Sequence, residues 1–135
     1  MANYYEASRS NYFAVKNLEA FKTAIEMFPI EIVSREEKDG EILVGLLGDY
    51  ENGFAWTYYD EDTEDDVEIV WEDIFKEHLA DDSVAIFMGT GSEKLRYLSG
   101  WAVAYNNKGE TRSVDLSSIY ELGKELGSKM TEATY

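Results

Sequence analysis

Residues 60–75 read DEDTEDDVEIVWEDIF, and the rest of the chain is organised around them. Six of the first seven residues are acids. An aromatic stretch precedes them (Phe54–Tyr59), and its composition predicts a β-strand. Apolar residues recur after them at helical spacing, which predicts an amphipathic helix that begins near Asp65 or Asp66. Residues 60–66 are therefore predicted to be an acidic insert between a strand and a helix.

The negative charge of the chain is concentrated around this insert. Residues 58–82 contain twelve acids and one base, Lys76, which gives a net charge of −11 out of −16 for the whole chain. Residues 83–135 contain six acids and six bases. Dense like charges destabilise a folded protein by self-repulsion. A solvated loop that keeps the protein soluble is one interpretation, and a surface for a basic partner is the other.

Composition limits the class of protein. A content of 44% hydrophobic and 14% aromatic residues is far above that of a disordered acidic chain, and 135 residues fit one domain, residues 1–135. The chain has no cysteine, which excludes disulfides and thiolate chemistry. It shows no signal-peptide pattern and no apolar run of membrane-spanning length, which favours the cytoplasm. A pI near 4.3 disfavours direct binding of nucleic acid or of an anionic membrane.

The pattern along the chain predicts an α+β fold with an antiparallel sheet and the element order β-α-β-β-β-α-β-β-β-α. The first strand is expected at residues 11–15, and Asn17 is expected to cap the first helix. Two three-stranded meanders follow the first and second helices, with turns at residues 48–53 and 89–93 among others. A last helix is predicted from Ile119, Leu122, Leu126 and Met130, with Ser118 at its N-terminus.

The order of elements suggests an internal duplication. A helix followed by three strands occurs twice, and Phe21-Lys22 and Phe75-Lys76 occupy equivalent positions 54 residues apart. Residues 17–59 and 67–116 would then be the two repeats, with the acidic insert 60–66 at their junction. A chance match of two such units is the alternative.

The candidate partner-binding residues are the acids of this region and the aromatic side chains next to them. Neighbours on a strand point to opposite faces, so one member of the pair Tyr58 and Tyr59 is expected to face solvent beside carboxylates. Exposed aromatic side chains are frequent anchors for arginine-rich partners. The predicted contact set comprises Asp60, Glu61, Asp62, Glu64, Asp65, Asp66, Glu68, Glu72, Asp73, Tyr58 and Tyr59.

Other candidate chemistry is weak, so we predict no catalytic residue, metal site or cofactor. His78 is the only histidine, and a histidine near the end of a helix is usually structural. Residues 89–94 lack the spacing of a phosphate-binding loop. An EF-hand that began at Asp60 would need Gly and Glu where the chain has Asp65 and Trp71.

In its size, acidity, lack of cysteine and acidic patch from Asp60 to Asp73, the chain resembles the small acidic proteins with which phages and mobile elements block host defence. These include DNA-mimicking anti-restriction and anti-CRISPR inhibitors. The resemblance implies a stoichiometric inhibitor without a cofactor, and it carries over no individual residue. The near-neutral last third departs from proteins that are acidic over their whole surface.

We therefore expect a non-enzymatic inhibitor, a monomer or a dimer, that binds the basic nucleic-acid-binding surface of a nuclease or CRISPR effector. It would act in the cytoplasm. If the protein is phage-encoded, this is the cytoplasm of the host cell. The alternatives are an immunity protein that neutralises a cognate toxin and a small ligand-binding domain with a pocket between the meanders.

Overall fold

The computed structural model describes residues 4–49, 53–93 and 97–133, and this part of the chain is α+β with antiparallel strands, as predicted. These described residues form three short α-helices, a 3-10 turn and eight strands. In chain order the elements are β1 Tyr4–Ser10, α1 Leu18–Ile25, β2 Glu31–Glu36, β3 Ile42–Leu47, β4 Thr57–Asp60, β5 Asp65–Glu68, α2 Trp71–His78, β6 Ala85–Glu93, β7 Tyr97–Tyr105, β8 Thr111–Asp115, the 3-10 turn Leu116–Ser118 and α3 Ile119–Gly123.

Six strands form one antiparallel sheet in the order β2-β3-β1-β6-β7-β8. The first strand is β1, and its predicted position at residues 11–15 is wrong. Those residues contribute only isolated bridges, such as Phe13 with Val44. The Asn11 side chain accepts a hydrogen bond from Ile86 N–H (2.8 Å) and donates one to the Val84 carbonyl (3.0 Å). A side chain thus takes the place of ladder hydrogen bonds where the backbone leaves the sheet.

The second meander is present as β6, β7 and β8, whereas the first is incomplete. Its third strand, β4, pairs with β5 in a separate two-stranded sheet. Residues 89–93, predicted to be a turn, belong to β6, where Gly89 is paired with Trp101. Part of the predicted turn at 48–53 lies outside the described residues. The internal duplication stays a prediction, and its two halves differ in where the third strand goes.

The second helix begins at Trp71, and its predicted start near Asp65 is wrong. Asp65–Glu68 is strand β5. Val67 and Ile69 alternate with Asp66 and Glu68, which is the period of a strand, and Ile69 is buried. Asp65 and Asp66, which would also suit the first turn of a helix, therefore lie on a β-strand.

An aromatic core fills the space between α1, α2 and one face of the six-stranded sheet. Phe87 on β6 lies 5.0 Å from Trp71, 5.5 Å from Phe75 and 4.2 Å from Phe54, measured between ring centroids. Phe13 packs edge-on against Phe75 at 5.4 Å. Asn17 caps α1 as predicted, since its side chain accepts the Ala20 N–H at 2.9 Å. All five of these aromatic side chains are buried, namely Phe13, Phe54, Trp71, Phe75 and Phe87.

The last helix is much shorter than predicted. α3 ends at Gly123, and the side chains of its predicted apolar stripe are all exposed. Gly123 and Gly127 disfavour a helix by about 1 kcal/mol each relative to Ala, and an unpacked short helix is marginal in water. The Asp115 side chain, which accepts the Ser118 N–H at 3.1 Å, caps the preceding 3-10 turn. Within the described residues, no helix has the length and apolar character that a membrane span requires.

Gly89 is required by its close approach to Trp101. A Cβ atom at Gly89 would lie 2.6 Å from the Trp101 ring, which Trp56 holds at a centroid distance of 5.4 Å. We expect Gly89→Ala to lower the free energy of unfolding by about 1–3 kcal/mol, because the packed ring must move. Gly127→Ala is the matched control, since nothing lies within 4 Å of its Cβ position. Urea denaturation measures both, and equal midpoints for the two variants would contradict the packing argument.

Candidate functional site: an acidic β-ribbon

The acidic insert and the residues beside it form a two-stranded ribbon, residues 57–68, which we call the acidic ribbon. Its register places Asp60 opposite Asp65, Tyr59 opposite Asp66 and Thr57 opposite Glu68. Among the residues that the structure describes, the ribbon pairs with no strand of the six-stranded sheet. The structure therefore brings the acids of residues 60–68 together on one two-stranded element. Asp60 and Asp65 share the face of Tyr58, and Asp66 and Glu68 share the face of Tyr59.

The two faces of the ribbon differ in chemistry. Tyr58 is half-buried, lies opposite Val67 and packs on Phe28 at a centroid distance of 5.1 Å. Tyr59 points the other way and is 55% exposed, opposite Asp66. Tyr58 therefore fixes the ribbon to the core, and Tyr59 is the tyrosine that stands beside the acids.

The tip of the ribbon uses its own carboxylates to hold its backbone. Asp60 Oδ1 accepts the Asp62 N–H at 3.0 Å, and Asp65 Oδ1 accepts the Asp66 N–H at 2.8 Å. Glu64 adopts a positive φ of 56°, which is uncommon for a residue other than Gly, Asn or Asp. These local bonds define the turn and leave the other carboxylate oxygens directed to solvent.

The acids of the ribbon have no cationic partner within the described residues. The ion pairs found there are Arg35 with Glu37, Lys124 with Glu121, and the conditional pair His78 with Glu77. Asp60 and Asp65 stand directly opposite each other, and like charges in that position destabilise a strand pair. Exposure to solvent and salt reduces this repulsion but leaves a negative surface.

The two predicted acids of α2 are exposed and lie outside the ribbon. Glu72 and Asp73 lie in the first turn of the helix, where they complement its dipole. Burial, together with the charge of Glu72, raises the pKa of Tyr105 to about 12. Tyr105 lies four residues along β7 from Trp101, which contacts Trp56 at the base of the ribbon. Glu72 therefore lies within electrostatic range of Tyr105.

The sequence did not reveal that Trp56 stands at the junction between ribbon and core. Trp56 is 42% exposed and contacts Phe54 and Trp101 at 5.4 Å each. It is the residue immediately before β4. The alternation of Val67 and Ile69 with acids was the signal that could have revealed the ribbon.

The described residues hold no group of three or more His, Asp or Glu side chains placed to bind a metal ion. The imidazole of His78 is mostly buried beside Phe21, at a centroid distance of 6.0 Å. Comparison of the chain with protein-family models, with curated proteins and with solved structures found no match.

Repulsion between Asp60 and Asp65 predicts a stabilising substitution. Asp65→Asn keeps the acceptor oxygen for the Asp66 N–H and removes one charge. We expect it to raise the free energy of unfolding at low salt by a few tenths of a kcal/mol, on the order of other opposed charge pairs, and to have no effect at high salt. Asp39→Asn is the matched control, because Asp39 also accepts a backbone N–H in a hairpin turn. A gain that persists in high salt would contradict the electrostatic explanation.

The raised pKa of Tyr105 predicts a loss of stability at alkaline pH. An unfolded tyrosine has a pKa of about 10. The folded protein binds the phenolic proton more tightly, so the stabilisation is complete below pH 10 and is lost as pH rises toward 12. Urea denaturation between pH 9 and 11 should show this decline in the wild type and a smaller one in Tyr105→Phe. Tyr59→Phe, at an exposed position, should follow the wild type.

Proposed function

We propose that this protein is an acidic inhibitor that binds the basic nucleic-acid-binding surface of a nuclease or CRISPR effector. The observation that carries the proposal is the acidic ribbon. It carries six acids between Asp60 and Asp66 and forms no ion pair with the described lysines and arginines. Its carboxylates would take the positions of phosphates on the partner.

The physical basis is the charge of the partner. A surface that binds nucleic acid contains clustered Lys and Arg side chains. These side chains neutralise the phosphates, and counterions are released when the complex forms. Asp66 and Glu68 share one face of β5 and stand about 6.8 Å apart along the strand. Complementary charges of this kind accelerate association and set orientation more than they set final affinity.

Aromatic side chains supply the contact that charge alone does not. Tyr59 lies beside Asp66, and Trp56 is exposed at the base of the ribbon. A guanidinium group can stack on an aromatic ring while it pairs with a neighbouring carboxylate. We infer that Tyr59 and Trp56 are the anchors and that the acids around them select an arginine-rich partner.

The inhibitor would act by occupancy, with one protein blocking one nucleic-acid site, and it would require no cofactor or turnover. Glu72 and Asp73 would contribute less than the ribbon in this scheme, because they lie on α2 outside it. The site of action would be the cytoplasm in which nucleases and CRISPR effectors meet nucleic acid.

Displacement of nucleic acid tests the proposal. A panel of nucleases and CRISPR effector complexes is loaded with a fluorescent oligonucleotide, and release is measured by anisotropy as this protein is added. At least one member should lose its oligonucleotide, and the inhibitory concentration should rise steeply with salt. The triple variant Asp62→Lys, Asp65→Lys and Asp66→Lys should lose inhibition while it keeps the circular dichroism spectrum of the wild type.

The control variant reverses the same number of charges elsewhere, as Glu19→Lys, Glu26→Lys and Glu41→Lys, at exposed positions outside the ribbon. It should retain most of the inhibition. Equal loss in the two triple variants would reduce the effect to net charge and remove the ribbon from the proposal. A tight partner that keeps its nucleic acid when this protein is bound would favour the immunity-protein alternative.

A further inference from the structure

The two faces of the acidic ribbon have different neighbours. Residues directly opposite each other in an antiparallel pair share a face, and Tyr58 belongs to the face that packs on the core. The other face carries two cross-strand pairs, Tyr59 with Asp66 and Thr57 with Glu68. All four of these side chains are exposed, so no described part of the chain covers them. We call them the outer face of the ribbon.

The outer face separates charge from aromatic surface. Both of its carboxylates are on β5, because Asp66 and Glu68 are alternate residues of that strand. β4 contributes no charged group to this face and supplies Thr57 and the ring of Tyr59 instead. Cβ atoms of directly opposite residues are about 5 Å apart, so Tyr59 stands beside Asp66. The outer face therefore consists of one row of charges with an exposed ring next to it.

This arrangement matches one nucleic-acid strand better than a duplex. A duplex carries a row of phosphates on each side of grooves about 6 and 12 Å wide, and its bases are stacked inside. A duplex mimic therefore needs two rows of carboxylates, and the outer face has one. Asp60 and Asp65 cannot supply the second row, because they share the opposite face with Tyr58. A single strand presents its phosphates in one row and leaves the flat faces of its bases accessible.

Proteins that bind single strands offer the complementary surface. They combine a positively charged groove, which follows the phosphates, with aromatic side chains on which the bases stack. Asp66 and Glu68 form no ion pair with the described lysines and arginines, so no such contact has to break before they meet a cation. The Tyr59 ring is 55% exposed and can stack where a base would. Charge and ring position thus both fit a groove of this kind.

A second uncovered surface of the protein lacks this complementarity. The face of the six-stranded sheet opposite the aromatic core carries a groove of about 940 Å³. Its charged lining residues are Glu31, Asp49 and Asp115 with one base, Arg9, among apolar side chains. Because both signs of charge are mixed there, charge identifies no occupant for this face.

We propose that the outer face of the ribbon mimics a short length of single-stranded nucleic acid, and that it occupies a groove in which the partner binds single-stranded DNA or RNA. Tyr59 takes the place of a base, and Asp66 and Glu68 take the places of phosphates. This partner is a narrower class than in the proposed function, on which the assignment rests. Contact is made by one face of the ribbon, whereas the charge of the whole ribbon attracts the partner at longer range.

Release of matched oligonucleotides tests the partner class. Nucleases and CRISPR effector complexes that bind single strands, and others that bind duplexes, are loaded with fluorescent oligonucleotides of equal length. Release is followed by anisotropy as this protein is added at constant salt. We expect the inhibitory concentration to be about tenfold lower, or less, for the members that bind single strands. Release that is equal in the two groups, or confined to the duplex binders, would overturn the assignment and leave the proposed function standing.

Two double variants of the ribbon test the face. Asp66→Asn with Glu68→Gln neutralises the outer face, and Asp60→Asn with Asp65→Asn neutralises the same number of charges on the opposite face. The second variant keeps the acceptor oxygens for the backbone N–H groups of Asp62 and Asp66. Both variants have the same net charge, so the long-range attraction falls equally. Against a partner that releases its single strand, the outer-face variant should raise the inhibitory concentration about tenfold or more, and the other variant should raise it severalfold less.

The ring of Tyr59 gives an independent measurement. Tyr59→Ala should raise the inhibitory concentration on the order of tenfold, because a stacking contact is lost, and Tyr59→Phe, which keeps the ring, should restore most of the inhibition. Circular dichroism of each variant should match the wild type, since none of the altered side chains is buried. An unchanged inhibitory concentration in Tyr59→Ala, or equal losses in the two double variants, would overturn the assignment to the outer face while the proposed function stands. No release from any member of the panel would contradict the proposed function as well.

Discussion

The packing of Trp71 and Phe75 on Phe87 is the interaction on which the rest of the structure depends. Two strands of four residues each are not stable alone in water, and the acids of the ribbon repel one another. The ribbon persists because its base is attached to this core. Trp71 Nε1 donates a hydrogen bond to the Ala55 carbonyl at 2.8 Å, and Ile69 N–H donates to the Trp56 carbonyl at 2.8 Å. Burial at the base thus offsets repulsion at the tip.

Local signals predicted the elements whose character is decided locally. The cap at Asn17, the helix that follows and the three-stranded order of the second meander agree with the sequence pattern, although residues 89–93 extend β6 where a turn was predicted. The start of α2 was not predictable in this way, because acids at residues 65 and 66 suit both a helix N-terminus and the strand after a turn. The choice depends on Val67 meeting Tyr58 and on Ile69 entering the core, and both contacts are made with residues outside the local pattern.

The candidate surfaces also differ in how far the local sequence determines them. Clustering of charge is a property of the sequence, so the acids from Asp60 to Asp66 were predictable as a group, although their arrangement as a ribbon was not. The open face of the six-stranded sheet joins residues from six strands that are far apart in the sequence, so no short stretch of sequence reveals it. It exists because β1 inserts between β3 and β6, which places Arg9 between Leu47 and Met88. The side-chain bonds of Asn11 that end β1 are not visible in any periodicity.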